Sequence, residues 1–263
     1  MTAEKSTTDR EALWRPGEML AVAAASLMRD DDVVLVGLGL PQIAALLAQR
    51  TTAPGIQMLL EIGVFMPRPS EPAMGIADPR MWKDAWSFGG VLDVLGSMLH
   101  GGRVTLGVLG ALQVDPAGSL NTTLVRAGDG TARRFNGSGG GNDIASLAGR
   151  VFVVMRHDAR KFRPVLDFLT SPGRTLDGQP RERLGLAGTG TVAVITDRAI
   201  IEIADAGAVL ASVHPGETPE DVLASTSMPL LLPDGGPAET PAPTGRQVGL
   251  LRSELDPEGW YVS

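Results

Sequence analysis

The sequence predicts an α/β fold in which an open, mainly parallel sheet is flanked by helices. The first observation is the order of elements in residues 33–61: an apolar run, a glycine turn, a helical stretch and a second apolar run. That order indicates a βαβ unit, and such units build parallel sheets. The second observation is a series of later short apolar runs that extend the sheet. Thirdly, 263 residues with 43% hydrophobic content are enough to bury a substantial core.

The elements follow one another with their own local signals. Pro16 suits the first turn of a helix, and Gly101 with Gly102 is a normal helix stop. Asp197 and Arg198 form the turn of a hairpin that we place on the edge of the sheet. The predicted helices are residues 16–28, 41–50, 88–99 and 247–255. The predicted strands are residues 33–36, 57–61, 104–108, 151–155, 192–196 and 199–203.

A single α/β domain is predicted, without internal repeats. Residues 1–15 form an N-terminal tail, and residues 16–228 form the domain itself. Residues 229–263 are interpreted as a linker rich in Pro and Gly, followed by a C-terminal tail that contains the last short helix.

Composition excludes several classes of function. The 30 acidic residues exceed the 23 Lys and Arg residues and give a net charge of −7, which argues against nucleic-acid binding. The absence of cysteine excludes disulfides, thiolate zinc sites and a catalytic Cys. The three histidines are too far apart in sequence for a metal site, so no metal is expected.

The apolar stretch 19–28 is the one candidate for a targeting or membrane segment. Acidic residues precede it, whereas a signal peptide has a positive leader, and the stretch is too short to span a bilayer. We interpret it as a buried helix and expect a cytoplasmic protein without membrane contact.

A glycine-rich segment, residues 136–146, is the most informative feature of the chain. Glycines let backbone N–H groups approach a ligand closely, and Asn142 or Asp143 can cap a helix that follows at Ile144. Such a turn binds negative charge, either a phosphate or an oxyanion that forms during a reaction. The donors for an oxyanion would come from the turn at Gly139, Gly140 and Gly141.

Glu61 is the second candidate, and its sequence context leaves three interpretations open. With Gly37 and Gly39 it imitates a dinucleotide-binding unit, in which an acid about twenty residues on binds ribose. However, Gln42 replaces the third glycine, and Pro41 lacks the N–H that a pyrophosphate needs. As a nucleophile, Glu61 attacks an acyl thioester and forms first an anhydride and then a glutamyl thioester. As a structural acid it forms a cap or an ion pair at a strand end, which spacing alone favours.

Five segments of the sequence together match one family pattern. They are Leu-Glu-Ile-Gly at 60–63; Leu-Gly-Ala-Leu-Gln-Val-Asp at 109–115 with Gly118 and Asn121; Gly-Gly-Gly-Asn-Asp at 139–143; the run 151–155 with His157, Phe162 and Thr-Ser-Pro-Gly at 170–173; and His-Pro-Gly-Glu-Thr-Pro-Glu-Asp-Val at 214–222 with Thr226. On these segments, which span about residues 18–228, the chain resembles the class I CoA-transferases, specifically the B (β) subunit of the glutaconate CoA-transferase type.

The resemblance implies a fold, a partner and a reaction. The fold is the open α/β sheet of the CoA-transferase superfamily, and the partner is a homologous A (α) subunit that shares the active site. Glu61 is then the nucleophile that carries CoA from an acyl-CoA to a carboxylic acid, and the backbone of residues 139–141 stabilises the oxyanion. The CoA thioester is a substrate, and no cofactor is permanently bound. The supporting residues are Gln113 and Asn121, which orient the loop, together with Asp143 and His157.

Two departures from the family pattern leave the substrates open. Leu60 and Ile62 flank the glutamate where many relatives carry Ser and Asn, and Gly141 stands where Ala is usual. The acyl donor, the acceptor acid and the subunit stoichiometry therefore do not follow from the sequence. One alternative is a hydrolase that opens cyclic diketone CoA thioesters. Another is a non-catalytic subunit that keeps only the fold.

Five further side chains have no fixed role. His157 either holds a substrate carboxylate or supports its loop, and we favour support. Arg68 either meets a substrate carboxylate or CoA phosphate or lies in solvent. Trp82 and Trp86, four residues apart on a predicted helix, indicate core or interface packing. His214 precedes a Pro-Gly turn and is interpreted as structural.

Overall fold

The computed structural model of this chain describes residues 13–69, 72, 74–75 and 77–263, so most of the predicted N-terminal tail lies outside the described residues. Its strands are β1 Val33–Val36, β2 Gln57–Leu60, β3 Val64–Phe65, β4 Ser87–Phe88, β5 Leu106–Leu109, β6 Gln113–Val114, β7 Leu120–Asn121, β8 Leu124–Arg126, β9 Ala132–Arg134, β10 Arg150–Val154, β11 Thr175–Leu176, β12 Gln179–Pro180, β13 Thr191–Ile195, β14 Ala199–Ala204, β15 Gly207–Val213 and β16 Ala238–Glu239.

Within the described residues, ten of these strands form one sheet, in the order β16-β15-β14-β13-β10-β5-β1-β2-β3-β4. The five central strands, from β2 to β13, are parallel. Antiparallel strands extend the sheet on both sides. Three small hairpins, β6–β7, β8–β9 and β11–β12, stand apart from it. The predicted open, mainly parallel sheet is confirmed.

Helices cover both faces of this sheet. They are α1 Pro16–Ser26, α2 Leu40–Arg50, a helix with π-type hydrogen bonds at Leu92–Leu99, α3 Gly141–Leu147, α4 Pro219–Ala224, and α5 Gly245–Leu250 with a π-type extension at Leu251–Leu255. Successive strand residues point to opposite faces. Val34 and Val36 therefore pack with α1 and α2, whereas Leu35 packs on the other side with Val94 and Ile144. The fold is thus a three-layer α/β arrangement.

Two of the predicted elements differ clearly from this architecture. The hairpin at 192–203 forms as β13 and β14, but its predicted place on the edge is wrong, because β15 and β16 lie outside it. The predicted helix 88–99 begins only at Leu92, since Phe88 belongs to the edge strand β4. No helix in the described part of the chain is long and apolar enough to cross a membrane.

The C-terminal segment packs into the same core as the N-terminal helix. Leu251, Leu255 and Val262 are buried among residues of α1 and α2. At Gly17 an added Cβ would lie 2.5 Å from the carbonyl oxygen of Val262, so the two backbones are in close contact. The structure thus joins residues on both sides of position 228 in one core, and the division at 228 stays a prediction.

An ion pair with a buried carboxylate fastens this segment to α1. The Glu18 side chain is fully buried and accepts hydrogen bonds from Arg252 Nε at 2.6 Å and Nη2 at 2.9 Å. The backbone N–H of Arg15 donates a third bond at 2.6 Å. The carboxylate depends on Arg252 because removing one partner of a buried pair leaves an uncompensated charge.

Arg252→Met is therefore expected to lower the free energy of unfolding by about 2–3 kcal/mol, somewhat less than for a fully buried pair because Arg252 is partly exposed. Urea unfolding followed by circular dichroism measures this loss. Arg246→Met, on the exposed side of α5, is the matched control and should change stability little. Glu18→Met combined with Arg252→Met should recover part of the loss. Equal effects of Arg252→Met and Arg246→Met would contradict the assignment.

Candidate active site

Glu61 directly follows β2, at the carboxyl edge of the parallel strands. Glu61 is half-buried, and its neighbours in the chain, buried Leu60 and partly buried Ile62, belong to the core on the α1 and α2 side of the sheet. The turn closes by a hydrogen bond from Gly63 N–H to the Leu60 carbonyl, 2.9 Å long. Gly63 has a φ of 102°, and a Cβ there would overlap the carbonyl oxygen of Gly89. Only glycine fits this position, which holds the Glu61 turn against the β4 segment.

The glycine-rich loop meets the Glu61 carboxylate at Gly140. A Cβ added at Gly140 would lie 2.7 Å from Glu61 Oε2 and 2.8 Å from its Cδ. Backbone and carboxylate therefore touch with no room for a side chain between them. Gly139, with a φ of 48°, makes the turn that brings the loop to this point. Two segments almost eighty positions apart in sequence thus form one site.

The three predicted backbone donors differ in the structure. The N–H of Gly141 donates to the Ser138 carbonyl at 2.8 Å and is used within the turn. In the described part of the chain, the N–H groups of Gly139 and Gly140 donate to no acceptor. These two donors are therefore available for an oxyanion beside Glu61.

The start of the following helix differs from the prediction. Helix α3 begins at Gly141, and its N-cap residue Gly140 provides no side-chain cap. The prediction that Asn142 or Asp143 caps a helix starting at Ile144 is wrong, because the Asn142 side chain instead donates to the Thr170 carbonyl at 2.6 Å. Asp143 is exposed in the first turn, where unpaired N–H groups favour a negative charge.

A cavity of about 440 Å³ lies over the Glu61 carboxylate. It opens at the carboxyl ends of β1, β2 and β5, the usual location of ligand sites in open α/β sheets. Its volume is typical of small-molecule sites. Of the described residues that line it, Glu61 alone has an ionisable side chain. The lining consists of residues 35–38, Glu61, 109–112, Leu120, Thr122, 135–141, Ile144 and Ser171.

Gln113 and Asn121 form a buried pair on the neighbouring hairpin β6–β7. Asn121 Nδ2 donates to Gln113 Oε1 at 2.7 Å, and Gln113 Nε2 donates to Asp167 Oδ2 at 2.7 Å. Asn121 Oδ1 accepts from the backbone N–H groups of Thr123 and Leu124. The pair therefore fixes the backbone of residues 121–124 and reaches the glycine-rich loop only indirectly.

The direct bonds to that loop come from residues to which sequence analysis assigned no role. Thr122 Oγ1 donates to the Gly137 carbonyl at 2.7 Å, and Gly137 N–H donates back to the Thr122 carbonyl at 3.2 Å. Thr122 N–H in turn donates to Thr170 Oγ1 at 2.9 Å. The consecutive hydroxyl residues after Asn121 were the available signal. Thr122 and Thr170 thus position the loop against Glu61.

His157 does not line the cavity. Its Nδ1 lies 3.1 Å from Thr196 Oγ1 and its Nε2 lies 3.1 Å from Thr226 Oγ1. The ring packs on Phe162 with centroids 4.7 Å apart. These contacts join three loops, as expected of the support role favoured above.

His214 is buried in a similar environment, between the Thr196 carbonyl at 2.8 Å and Thr240 Oγ1 at 3.0 Å. Burial lowers the pKa of both His157 and His214, and the Arg198 guanidinium lowers that of His157 further. In the unfolded chain histidine has a pKa near 6.5 and binds protons as the pH falls towards that value. In the folded protein both imidazoles are still neutral at such pH values, because their pKa is lower.

The free energy of unfolding should consequently fall as the pH drops below about 6.5, because the unfolded state then binds more protons than the folded state. Urea unfolding at pH 7.5 and pH 5.5 measures this difference. In the double variant His157→Gln with His214→Gln, the decrease between the two pH values should be smaller than in the unchanged chain, whatever its stability at pH 7.5. An unaltered pH dependence would refute this assignment.

The remaining candidates lie away from the cavity. Arg68 is exposed and donates to the Pro54 carbonyl at 3.2 Å. Trp82 ends a short 3-10 turn and Trp86 follows it; they are 42% and 78% exposed, so of the two predicted roles core packing is wrong. Among the described residues, no three His, Cys, Asp or Glu side chains are grouped to hold a metal ion.

Comparisons with known proteins show which sequences and folds this chain is similar to. The sequence profile of the family described as coenzyme A transferase matches residues 17–225. The chain is 36% identical over 243 residues to the B subunit of the 3-oxoadipate CoA-transferase of Pseudomonas knackmussii, covering 91% of this chain and 93% of that protein. It is 34% identical to the B subunit of the glutaconate CoA-transferase of Acidaminococcus fermentans, covering 93% of this chain and 94% of that protein.

The solved structure of that glutaconate enzyme superimposes with a TM-score of 0.85 and 31% identity, covering 95% of this chain and 98% of its own. The cholesterol ring-cleaving hydrolase IpdB subunit of Mycobacterium tuberculosis is 28% identical, covering 92% of this chain and 94% of that protein. Similarity therefore extends over nearly the full length of each relative.

Proposed function

This chain belongs to the coenzyme A transferase family, and on that premise we propose that it is the B (β) subunit of a heteromeric CoA-transferase. Its proposed substrates are CoA thioesters, and the proposal includes no permanently bound cofactor. Its reaction moves CoA from an acyl-CoA to a carboxylic acid. The observation that carries the proposal is the contact between the Glu61 carboxylate and Gly140, beside two backbone N–H groups without an acceptor in the described chain. A carboxylate nucleophile and oxyanion donors are the two groups that acyl transfer requires.

The first half of the reaction starts with attack of a Glu61 oxygen on the thioester carbonyl. The carbonyl electrons move to the oxygen, which the N–H groups of Gly139 and Gly140 stabilise. Collapse of this intermediate expels the CoA thiolate and leaves an anhydride between the acyl group and Glu61. The thiolate then attacks the Glu61 carbonyl, releasing the donor carboxylate and forming a glutamyl-CoA thioester.

The second half repeats these steps in reverse with the acceptor acid. Its carboxylate attacks the glutamyl thioester and expels the thiolate, which then attacks the acceptor carbonyl of the new anhydride. A new acyl-CoA leaves and the Glu61 carboxylate is restored. Each half places negative charge on the same two carbonyl oxygens, that of the acyl group and that of Glu61, so donors beside the Glu61 carboxylate serve in both halves. One donor of this kind contributes about 3–4 kcal/mol to lowering the barrier.

The apolar surroundings of Glu61 support transfer over hydrolysis. The cavity over the carboxylate is lined by apolar side chains that include Leu109, Leu120 and Ile144. Apolar contacts exclude water from the anhydride and the glutamyl thioester, both of which water would otherwise consume.

An A subunit is proposed as the partner, in keeping with the relatives, two of which are named as the B subunits of their enzymes. The surface next to the Glu61 turn exposes large apolar side chains that a monomer rarely leaves uncovered. Trp86 is 78% exposed, Phe88 is 63% exposed and Leu92 is 83% exposed. Phe88 immediately precedes Gly89, which contacts Gly63 of the Glu61 turn. A partner seated on this edge would adjoin the nucleophile.

Mass spectrometry of the chain, co-purified with its A subunit and incubated with a panel of acyl-CoAs, tests the proposal. The expected result is a CoA adduct on the peptide that contains Glu61. Release of free CoA with turnover but without that adduct would support a hydrolase, the activity named for the mycobacterial relative. Absence of both turnover and adduct with every donor would overturn the transferase proposal in favour of a non-catalytic subunit.

A further inference from the structure

The hairpin β8–β9 is a basic element on an acidic chain. Arg126, Arg133 and Arg134 are all exposed on its two strands. In the described part of the chain, none of their guanidinium groups forms an ion pair with a carboxylate, although the Arg126 backbone N–H donates to Asp167 Oδ2 at 3.0 Å. The nearby acids are already engaged. Asp129 accepts two bonds from Thr131, and Asp167 pairs with Arg163 at 3.6 Å.

The register of the hairpin sets the directions of these arginines. Val125 pairs with Arg133, and Leu124 pairs with Arg134. Alternation along a strand therefore places Arg133 on one face, and Arg126 with Arg134 on the other. The Arg133 guanidinium lies 4.9 Å from the centre of the Phe135 ring, one residue beyond the end of β9.

Phe135 connects the hairpin to the active site. It lines the cavity over Glu61 and begins the loop that reaches Gly140. Its N–H donates to the Thr123 carbonyl at 2.8 Å, so the loop leaves the hairpin in a fixed direction. The guanidinium groups of the hairpin therefore adjoin one side of the cavity. Among the described residues that line this cavity, only Glu61 is ionisable.

We propose that the β8–β9 hairpin binds the phosphate groups of the CoA substrate, with Arg133 making the principal contact. This inference rests on the proposed function, because it places the thioester at Glu61 and the nucleotide end on the hairpin, with the pantetheine arm between them. Guanidinium groups bind phosphate oxygens through paired, charge-assisted hydrogen bonds. Arg126 and Arg134 add to the attraction, and because they are exposed their effect is sensitive to salt.

Calorimetry tests the inference. It measures the affinity of the complex between this chain and its A subunit for CoA, 3′-dephospho-CoA and pantetheine. The variant Arg126→Gln/Arg133→Gln/Arg134→Gln should bind CoA about tenfold or more weakly and pantetheine with unchanged affinity. Arg133→Gln alone should cause the largest single loss. Added salt should weaken CoA binding to the unchanged complex more than to the triple variant. The control variant Arg103→Gln/Arg183→Gln/Arg246→Gln removes three exposed arginines elsewhere and should bind CoA normally.

Unchanged CoA affinity in the triple variant would overturn the inference, and so would equal weakening of CoA and pantetheine, which indicates a structural effect. Failure of the proposed function has a different signature. In that case the unchanged complex itself forms no adduct on Glu61, whether or not it binds CoA. A complex that forms the adduct and binds CoA equally well without the three arginines would overturn the hairpin assignment alone.

Discussion

Glu61→Gln is expected to lower the turnover number for CoA transfer by about four orders of magnitude or more, which is the scale of loss when a covalent nucleophile is removed. The amide has nearly the shape of the carboxylate and keeps the contact with Gly140. It cannot attack a thioester to form an anhydride. The affinity for acyl-CoA should change far less than the turnover number, because the substitution leaves the cavity and its donors in place. Steady-state transfer assays with the co-purified complex measure both quantities.

A second glutamate provides the control for this substitution. Glu239 is exposed on β16, at the edge of the sheet opposite to β4. Glu239→Gln removes the same charge and should transfer CoA at the original rate. Retention of more than a small fraction of turnover in Glu61→Gln would show that another group is the nucleophile.

Gly140→Ala is expected to lower turnover by about 100-fold, the effect of misplacing a reacting group by about 1 Å. The added methyl group would lie 2.7 Å from Glu61 Oε2, so the carboxylate must move away from the oxyanion donors. Backbone strain does not contribute, because Gly140 has a φ of −77°. The carboxylate is the free end of a flexible side chain, so thermal stability should change little.

Gly141→Ala adds the same methyl group one residue later, where the nearest atom is Leu109 Cδ2 at 3.9 Å. This is an ordinary van der Waals contact, and the variant should keep most of its turnover. Parallel assays of the two variants, each with a measured melting temperature, separate displacement of Glu61 from a general effect on the loop. Equal losses of activity at 140 and 141 would argue against the displacement.

The central sheet was predictable because its strands carry unbroken apolar runs. Val33–Val36 is buried on both faces and gives a signal within four residues. The outer elements gave weaker signals. β3 and β4 have two residues each. Their pairing depends on the close contact between Gly63, in the turn before β3, and Gly89, which follows β4. β15 alternates between buried and half-buried positions and has glycine and alanine at its start. Short or small-residue strands form where neighbouring strands provide the pairing.

The candidate site also has features that the sequence predicts and features that it does not predict. Glu61 and the glycine loop stand out in the sequence by residue type, and the family resemblance links them. The contact between Glu61 and Gly140 joins the ends of distant segments, and nothing local to either residue predicts its geometry. Thr122 and Thr170 act through backbone hydrogen bonds to segments 15 and 48 positions away. Such bonds are made by any suitably placed hydroxyl group, so composition and spacing do not reveal them.

The ion pair between Glu18 and Arg252 has a consequence for biosynthesis. Its partners are 234 positions apart, and Leu251, Leu255 and Val262 complete the core around α1. A ribosome adds about 5–20 residues per second, so α1 leaves the exit tunnel many seconds before its final neighbours exist. During that interval the apolar surface of α1 is incompletely covered, and Glu18 has no cation to neutralise it. The nascent chain thus reaches its native core only when synthesis has passed Val262, and contacts of such long range make this last step slow.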